Sequence, residues 1–105
     1  MLKRINKWKR LTKEYHEIEY TQENIKGYYL IDIRTSMEYL EFHLNGSINI
    51  PLHQLRKKIE QIQPNKEKKI LVYCQSGNRS KKAIRILEKM GYKNVYNLKG
   101  GIENI

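Results

Sequence analysis

A small α/β domain, with a mostly parallel central sheet and helices on both faces, is the fold that this 105-residue sequence predicts. Three observations predict it. Short apolar, β-branched runs at residues 28–33, 47–50, 70–73 and 95–98 alternate with stretches whose apolar residues recur at helical spacing. The runs at 28–33 and 70–73 are almost continuously apolar, as strands covered on both faces of a parallel sheet are. The length suits one hydrophobic core and not two.

Residues 1–14 read as a basic N-terminal extension and residues 15–105 as the folded domain. The extension carries Lys3, Arg4, Lys7, Lys9, Arg10 and Lys13 around Leu2, Ile5, Trp8 and Leu11. Those apolar residues are three apart, a spacing that drifts around a helix, so a short helix packed on the domain is the expectation. Four apolar side chains are a small anchor for the alternative, contact of residues 1–13 with an anionic membrane surface.

Residues 15–20, which carry Tyr15, Ile18 and Tyr20, read as a short strand, and Thr21 caps a single helical turn before Gly27. The strand at 28–33 ends in a charged pair, Asp32 and Arg34. Ser36 is the expected cap of a short helix over 37–42; Gly46 then breaks the chain, and Pro51 closes the strand at 47–50. Leu52, Leu55, Ile59 and Ile62 mark a helix, and Pro64-Asn65 turns the chain into the central strand. Ala83, Ile86, Leu87 and Met90 define the next helix, over roughly 80–90, with Ser80 as its cap and Gly91 just past its end.

The lone cysteine, Cys74, therefore sits between a strand and a helix. Unpaired N–H groups at a helix start carry partial positive charge and favour an anion placed against them. Arg79, Lys81 and Lys82 add full charges, and a thiol in an electropositive, partly exposed setting is a nucleophile. A small buried hydrophobe at a strand end is the other reading of such a cysteine. In parallel sheets ligands bind at the carboxyl ends of strands, so Asp32, Arg34 and Cys74 are expected at one edge.

Composition narrows the classes. Hydrophobic residues make up 39% and charged residues 30%, and no apolar run is long enough to span a membrane. The charged N-terminus lacks the apolar core of a secretory signal, which makes a cytoplasmic location the default. One cysteine forms no internal disulfide, in keeping with a reducing compartment. A net charge of +10 favours acidic partners or anionic substrates, but no nucleic-acid-binding motif accompanies it and no nucleic-acid partner is expected. His16, His43 and His53 lie in different elements without metal-ligand spacing, so neither a metal nor a cofactor is expected.

The stretch Cys74, Gln75, Ser76, Gly77, Asn78, Arg79, Ser80 resembles the active-site loop of rhodanese-like sulfurtransferases. The resemblance extends to Leu30, Asp32, Arg34, Glu38, Tyr39, His43, Gly46, Asn49, Pro51, Asn97, Gly100, Gly101 and Ile102, covering most of the chain from about residue 28. It implies a three-layer single-domain rhodanese. Cys74 would attack the outer sulfur of a small anionic donor such as thiosulfate, become a persulfide, and pass that sulfur to cyanide, a thiol or a protein acceptor. Backbone N–H groups of residues 75–80 would stabilise thiolate and persulfide. With no second cysteine, the acceptor must come from outside.

Arg79 either orients the donor or fixes the loop by pairing with a carboxylate. Ser80 reads as a cap, and Gly77 as a turn that a side chain would obstruct. Asp32 and Arg34 read as supporting partners, with Glu38 or His43 as further members. Two alternatives accompany the sulfurtransferase: a non-catalytic rhodanese-like binding or regulatory module, and a phosphatase or arsenate reductase. The related phosphatase pattern is Cys-x5-Arg, a wider ring that fits a tetrahedral oxyanion, whereas Cys74 and Arg79 are separated by four residues. In the family an aromatic residue often follows the Gly-Gly segment where this chain has Ile105.

Overall fold

The computed structural model describes residues 16–105, so the helix and membrane-contact expectations for the basic extension lie outside the described residues. In chain order the elements are β1 (Glu17–Ile18), α1 (Gln22–Ile25), β2 (Tyr29–Asp32), α2 (Ser36–Glu41), β3 (Ile48–Asn49), α3 (Leu52–Ile62), β4 (Lys69–Tyr73), α4 (Asn78–Lys89) and β5 (Asn94–Leu98). A 3₁₀ turn, Ile102–Asn104, follows. The strands form one sheet in the order β1-β5-β4-β2-β3, parallel at every described pairing.

Alternation along the central strands divides the core in two, because successive side chains of a strand point to opposite faces. Ile31, Ile70, Val72 and Val95 face α3 and α4 and pack with Leu55, Ile59, Ala83, Ile84 and Leu87. Leu30, Leu71, Tyr73 and Leu98 face the other way, where Ile25 of α1, Leu44 and Ile102 cover them. Helices thus flank both faces, two full ones on the first and, on the second, the single turn of α1, the 3₁₀ turn and irregular chain. The all-parallel strands, hidden on both sides, account for the continuous apolar runs.

Local chemistry shifts two helix starts from their expected places. The cap of α2 is Thr35 rather than Ser36: Thr35 Oγ1 accepts the Glu38 N–H at 3.2 Å while the Glu38 carboxylate accepts the Thr35 N–H at 3.0 Å. This reciprocal capping box satisfies two otherwise orphaned donors, which Ser36 could not do from one position further on. The start of α4 is Asn78 rather than residue 80, with Gly77 as its cap at φ +100°. A left-handed glycine lets the chain turn into the helix directly after the loop, which places Ser80 inside the first turn. Thr21 caps α1 as expected, accepting the Asn24 N–H at 2.9 Å, and Gly91 follows α4 at φ +99°.

Candidate active site

Strand β4 ends at Tyr73, so Cys74 is the first residue beyond the carboxyl edge of the sheet. Its Sγ accepts the Gly77 N–H at 3.0 Å and the Ser80 N–H at 3.4 Å, and its thiol reaches Ser80 Oγ at 3.6 Å. Two amides of the 75–80 stretch therefore meet the sulfur directly, fewer than a full ring of N–H groups. Both depend on Gly77: its own N–H is one donor, and its left-handed turn aims the first turn of α4, carrying the other. Conformation rather than space requires glycine here, because a Cβ would meet Gly100 N only at an ordinary 3.6 Å.

Ser80 is a buried bracket instead of a cap. Its hydroxyl lies 2.5 Å from Asn97 Oδ1 and 2.9 Å from the Gly77 carbonyl, and Asn97 in turn donates from Nδ2 to Glu17 at 3.3 Å. Asn97, buried on β5, thus ties the neighbouring strand to the cysteine loop.

Cys74 is 1% exposed, where the sequence predicts a partly exposed thiol. The side chain lies in the core on the α3/α4 face, in one cluster with Ile33, Val72 and Ala83, and the C-terminal turn fixes the backbone of the loop. Ile102 N–H donates to the Cys74 carbonyl at 2.9 Å and Glu103 N–H to the Gln75 carbonyl at 3.0 Å, which clamps the loop from outside the sheet. Gly101 permits this approach: at φ +71° and ψ −169° it occupies a region open to glycine, and a Cβ there would collide with the Gln75 carbonyl.

The charged side chains form two braces. Arg34, at the end of β2, donates to both carboxylate oxygens of Asp32, to the Phe42 carbonyl and, at 3.3 Å, to Gln75 Oε1. Burial acts to lower the Arg34 pKa, but hydrogen bonding and charge from Asp32 outweigh it and the net shift is upward. Asn49 Nδ2 donates to the backbone carbonyls of Asp32 and Arg34 at 2.9 Å each, fixing the strand end that carries the pair.

The second brace is Arg79, whose two terminal nitrogens each donate at 2.9 Å to one oxygen of Glu38. Those bonds hold the Glu38 carboxyl down at about 2, against a partial opposing effect of burial and with help from the Thr35 N–H. They also raise Arg79, which feels the charge of Cys74 as well. Of the two readings of Arg79, the geometry displays the carboxylate-paired one.

Neither Glu38 nor His43 joins the Asp32–Arg34 pair: Glu38 faces Arg79, and His43 Nδ1 lies 2.7 Å from the Tyr39 carbonyl with its ring stacked on Tyr39. Ser76, on the loop, and Asn78, the first residue of α4, are exposed. Sequence reasoning assigns no role to Tyr73, yet its buried hydroxyl accepts the Leu44 N–H and meets Ser47 Oγ at 3.0 Å each, and burial pushes it up to about 12. The pattern Thr35-x-x-Glu38 signals the cap of α2 and so the position of Glu38; no local pattern marks Asn97. Among the described residues, no group of three or more His, Cys, Asp or Glu residues is placed to hold a metal ion.

A sulfur held by backbone N–H groups at the carboxyl edge of a parallel sheet, in a loop braced by two arginines, defines a cysteine-loop α/β domain suited to anionic sulfur or oxyanion ligands. The chain belongs to the rhodanese-like domain family, whose model matches residues 12–105. It is 40% identical over 75 residues to the thiosulfate sulfurtransferase PspE of Escherichia coli strain K12, covering 71% of each chain. It is 38% identical over 87 residues to YqhL of Bacillus subtilis strain 168, covering 79% of this chain and 68% of that one. Among solved structures, a rhodanese-related protein of Thermoplasma volcanium aligns with a TM-score of 0.75 at 37% identity, over 86% of this chain and 89% of that one. An E. coli rhodanese with anions aligns with a TM-score of 0.68 at 39% identity, over 73% and 89%.

Proposed function

We propose that the protein is a sulfurtransferase that carries sulfane sulfur on Cys74. The observation that carries this reading is the pair of N–H groups, from Gly77 and Ser80, directed at Sγ at 3.0 and 3.4 Å. Such preorganised donors stabilise an anionic sulfur without reorganising during the reaction. With thiosulfate as donor, the Cys74 thiolate attacks the outer sulfur; a new S–S bond forms, the donor's S–S bond breaks, and the electron pair leaves with sulfite. Cyanide or a thiolate then attacks the outer sulfur of the persulfide, releasing thiocyanate or a new persulfide and restoring the Cys74 thiolate. The similarity to PspE supports thiosulfate as the donor class. Residues 15–105 would form the catalytic domain, with residues 1–14 as an appended basic segment. A free thiol carrier suits a reducing, cytoplasmic setting. Among the described residues, no helix is long and apolar enough to cross a membrane.

Incubation with thiosulfate followed by intact-mass measurement tests the reading. The expected result is a gain of one sulfur atom, removed by cyanide and absent in Cys74→Ser. The 1% exposure of Cys74 favours a second reading, a non-catalytic rhodanese-like binding module whose thiol is structural. No adduct with thiosulfate or other sulfane donors establishes that module instead. Aryl-phosphate hydrolysis is expected to be absent, because the Cys-x4-Arg spacing lacks the width of the phosphatase loop; robust turnover would support the phosphatase alternative.

A further inference from the structure

Beside the cysteine loop, but without Cys74 among its lining residues, lies a cavity of about 450 Å³ between the end of β2 and the helices α3 and α4. Its size falls in the range of small-molecule sites, roughly 300–1,000 Å³. Ile33, Leu52 and Ile86 supply an apolar surface, while Arg56 and Arg79 stand on its wall. The Leu52 N–H donates to the Ile33 carbonyl at 3.0 Å, so the strand end and the start of α3 hold the floor together. Arg56 is exposed and has no ion pair among the described residues. Arg79 gives Glu38 one N–H from each terminal nitrogen, and a guanidinium has further N–H donors in its fork. One guanidinium without an ion pair among the described residues, and a second whose charge Glu38 balances but whose fork keeps further N–H donors, stand over an aliphatic surface and match a carboxylate with a short hydrocarbon chain.

We propose that this cavity binds a small aliphatic carboxylate, its charged end taken by Arg56 and the spare donors of Arg79, its chain laid on Ile33, Leu52 and Ile86. The cavity does not include Cys74, and the proposal does not rest on the sulfurtransferase reading. It touches that chemistry through Arg79, which adjoins Ser80, one of the two amide donors to Sγ.

The test is a titration of the ¹⁵N-labelled protein with octanoate, with acetate and inorganic phosphate as separate probes. Each buried methylene strengthens binding by about fourfold, so burying only two makes octanoate at least about tenfold tighter than acetate. Saturable shifts are expected at Leu52, Arg56 and Ile86. Arg56→Ala, a change at an exposed position, should weaken octanoate by about fivefold while the remaining spectrum reports an intact fold. Cys74→Ser should bind octanoate as the unaltered protein does. Acetate or phosphate binding as tightly as octanoate, shifts confined to residues 74–80, failure to saturate, or unchanged affinity in Arg56→Ala would each overturn the proposal.

Discussion

Arg34 and Arg79 each grip a carboxylate next to the cysteine loop, with closest contacts of 2.8 Å to Asp32 and 2.9 Å to Glu38. Geometry makes the two pairs look alike, but burial does not. The side chains of Arg34 and Asp32 are 4% and 0% exposed, whereas those of Arg79 and Glu38 are 39% and 31% exposed. In the first pair, losing one partner strands the other charge away from water. In the second, solvent compensates whichever partner is left. Arg34 also spreads its donors over Asp32, Phe42 and Gln75, so it fixes β2, the end of α2 and the loop as one unit. The buried pair is architecture; the exposed pair is an adjustable clasp whose arginine also faces a cavity.

The largest effect that would break this contrast is expected from Asp32→Ala. Leaving Arg34 buried without its carboxylate should cost about 3–5 kcal/mol in urea unfolding; a loss below about 1 kcal/mol would show that water reaches the guanidinium. Arg34→Lys keeps the charge but not the planar fork, and the lost charge-assisted hydrogen bonds should cost about 1.5–3 kcal/mol by the same measurement. A far smaller change, about 0.2–1 kcal/mol, is expected from Glu38→Gln, since glutamine still serves the capping box with Thr35 and only the exposed pair is lost. A cost as large as that of Asp32→Ala would erase the distinction between the two braces.

The smallest and most selective expectation concerns pH. Glu38 titrates at about 2 in the fold against an ordinary 4.5, so its ionised form is the one the fold favours. Its contribution is complete above pH 4.5 and disappears as the pH falls through about 2. The stability difference between the unaltered protein and Glu38→Gln should therefore close over that window; a difference that persists at its lower end would assign the effect to packing instead of charge.

The strand pattern, the helix over 80–90, Gly91 beyond it and the position of Cys74 at a strand end are all legible in the sequence, because each follows from periodicity or turn chemistry within a few residues. The helix starts at 36 and 78 were less so. Several residues qualify as caps by type, and only the hydrogen bonds actually made choose among them. Gly77 was legible as a turn, but its reason, a positive φ that brings two amides to sulfur, appears only in three dimensions.

By itself the sequence determined an α/β chain with one thiol placed between a buried strand and a basic helix. Alternating apolar runs and local breakers encode that much without reference to distant residues. Tertiary structure alone decided that Arg79 meets Glu38 across a separation of 41 residues, that Asn97 anchors Ser80, and that the turn after Gly101 closes over the loop. These contacts depend on parallel strand order and register, which bring β2, β4 and β5 side by side, and register is a property of the assembled sheet rather than of any one segment.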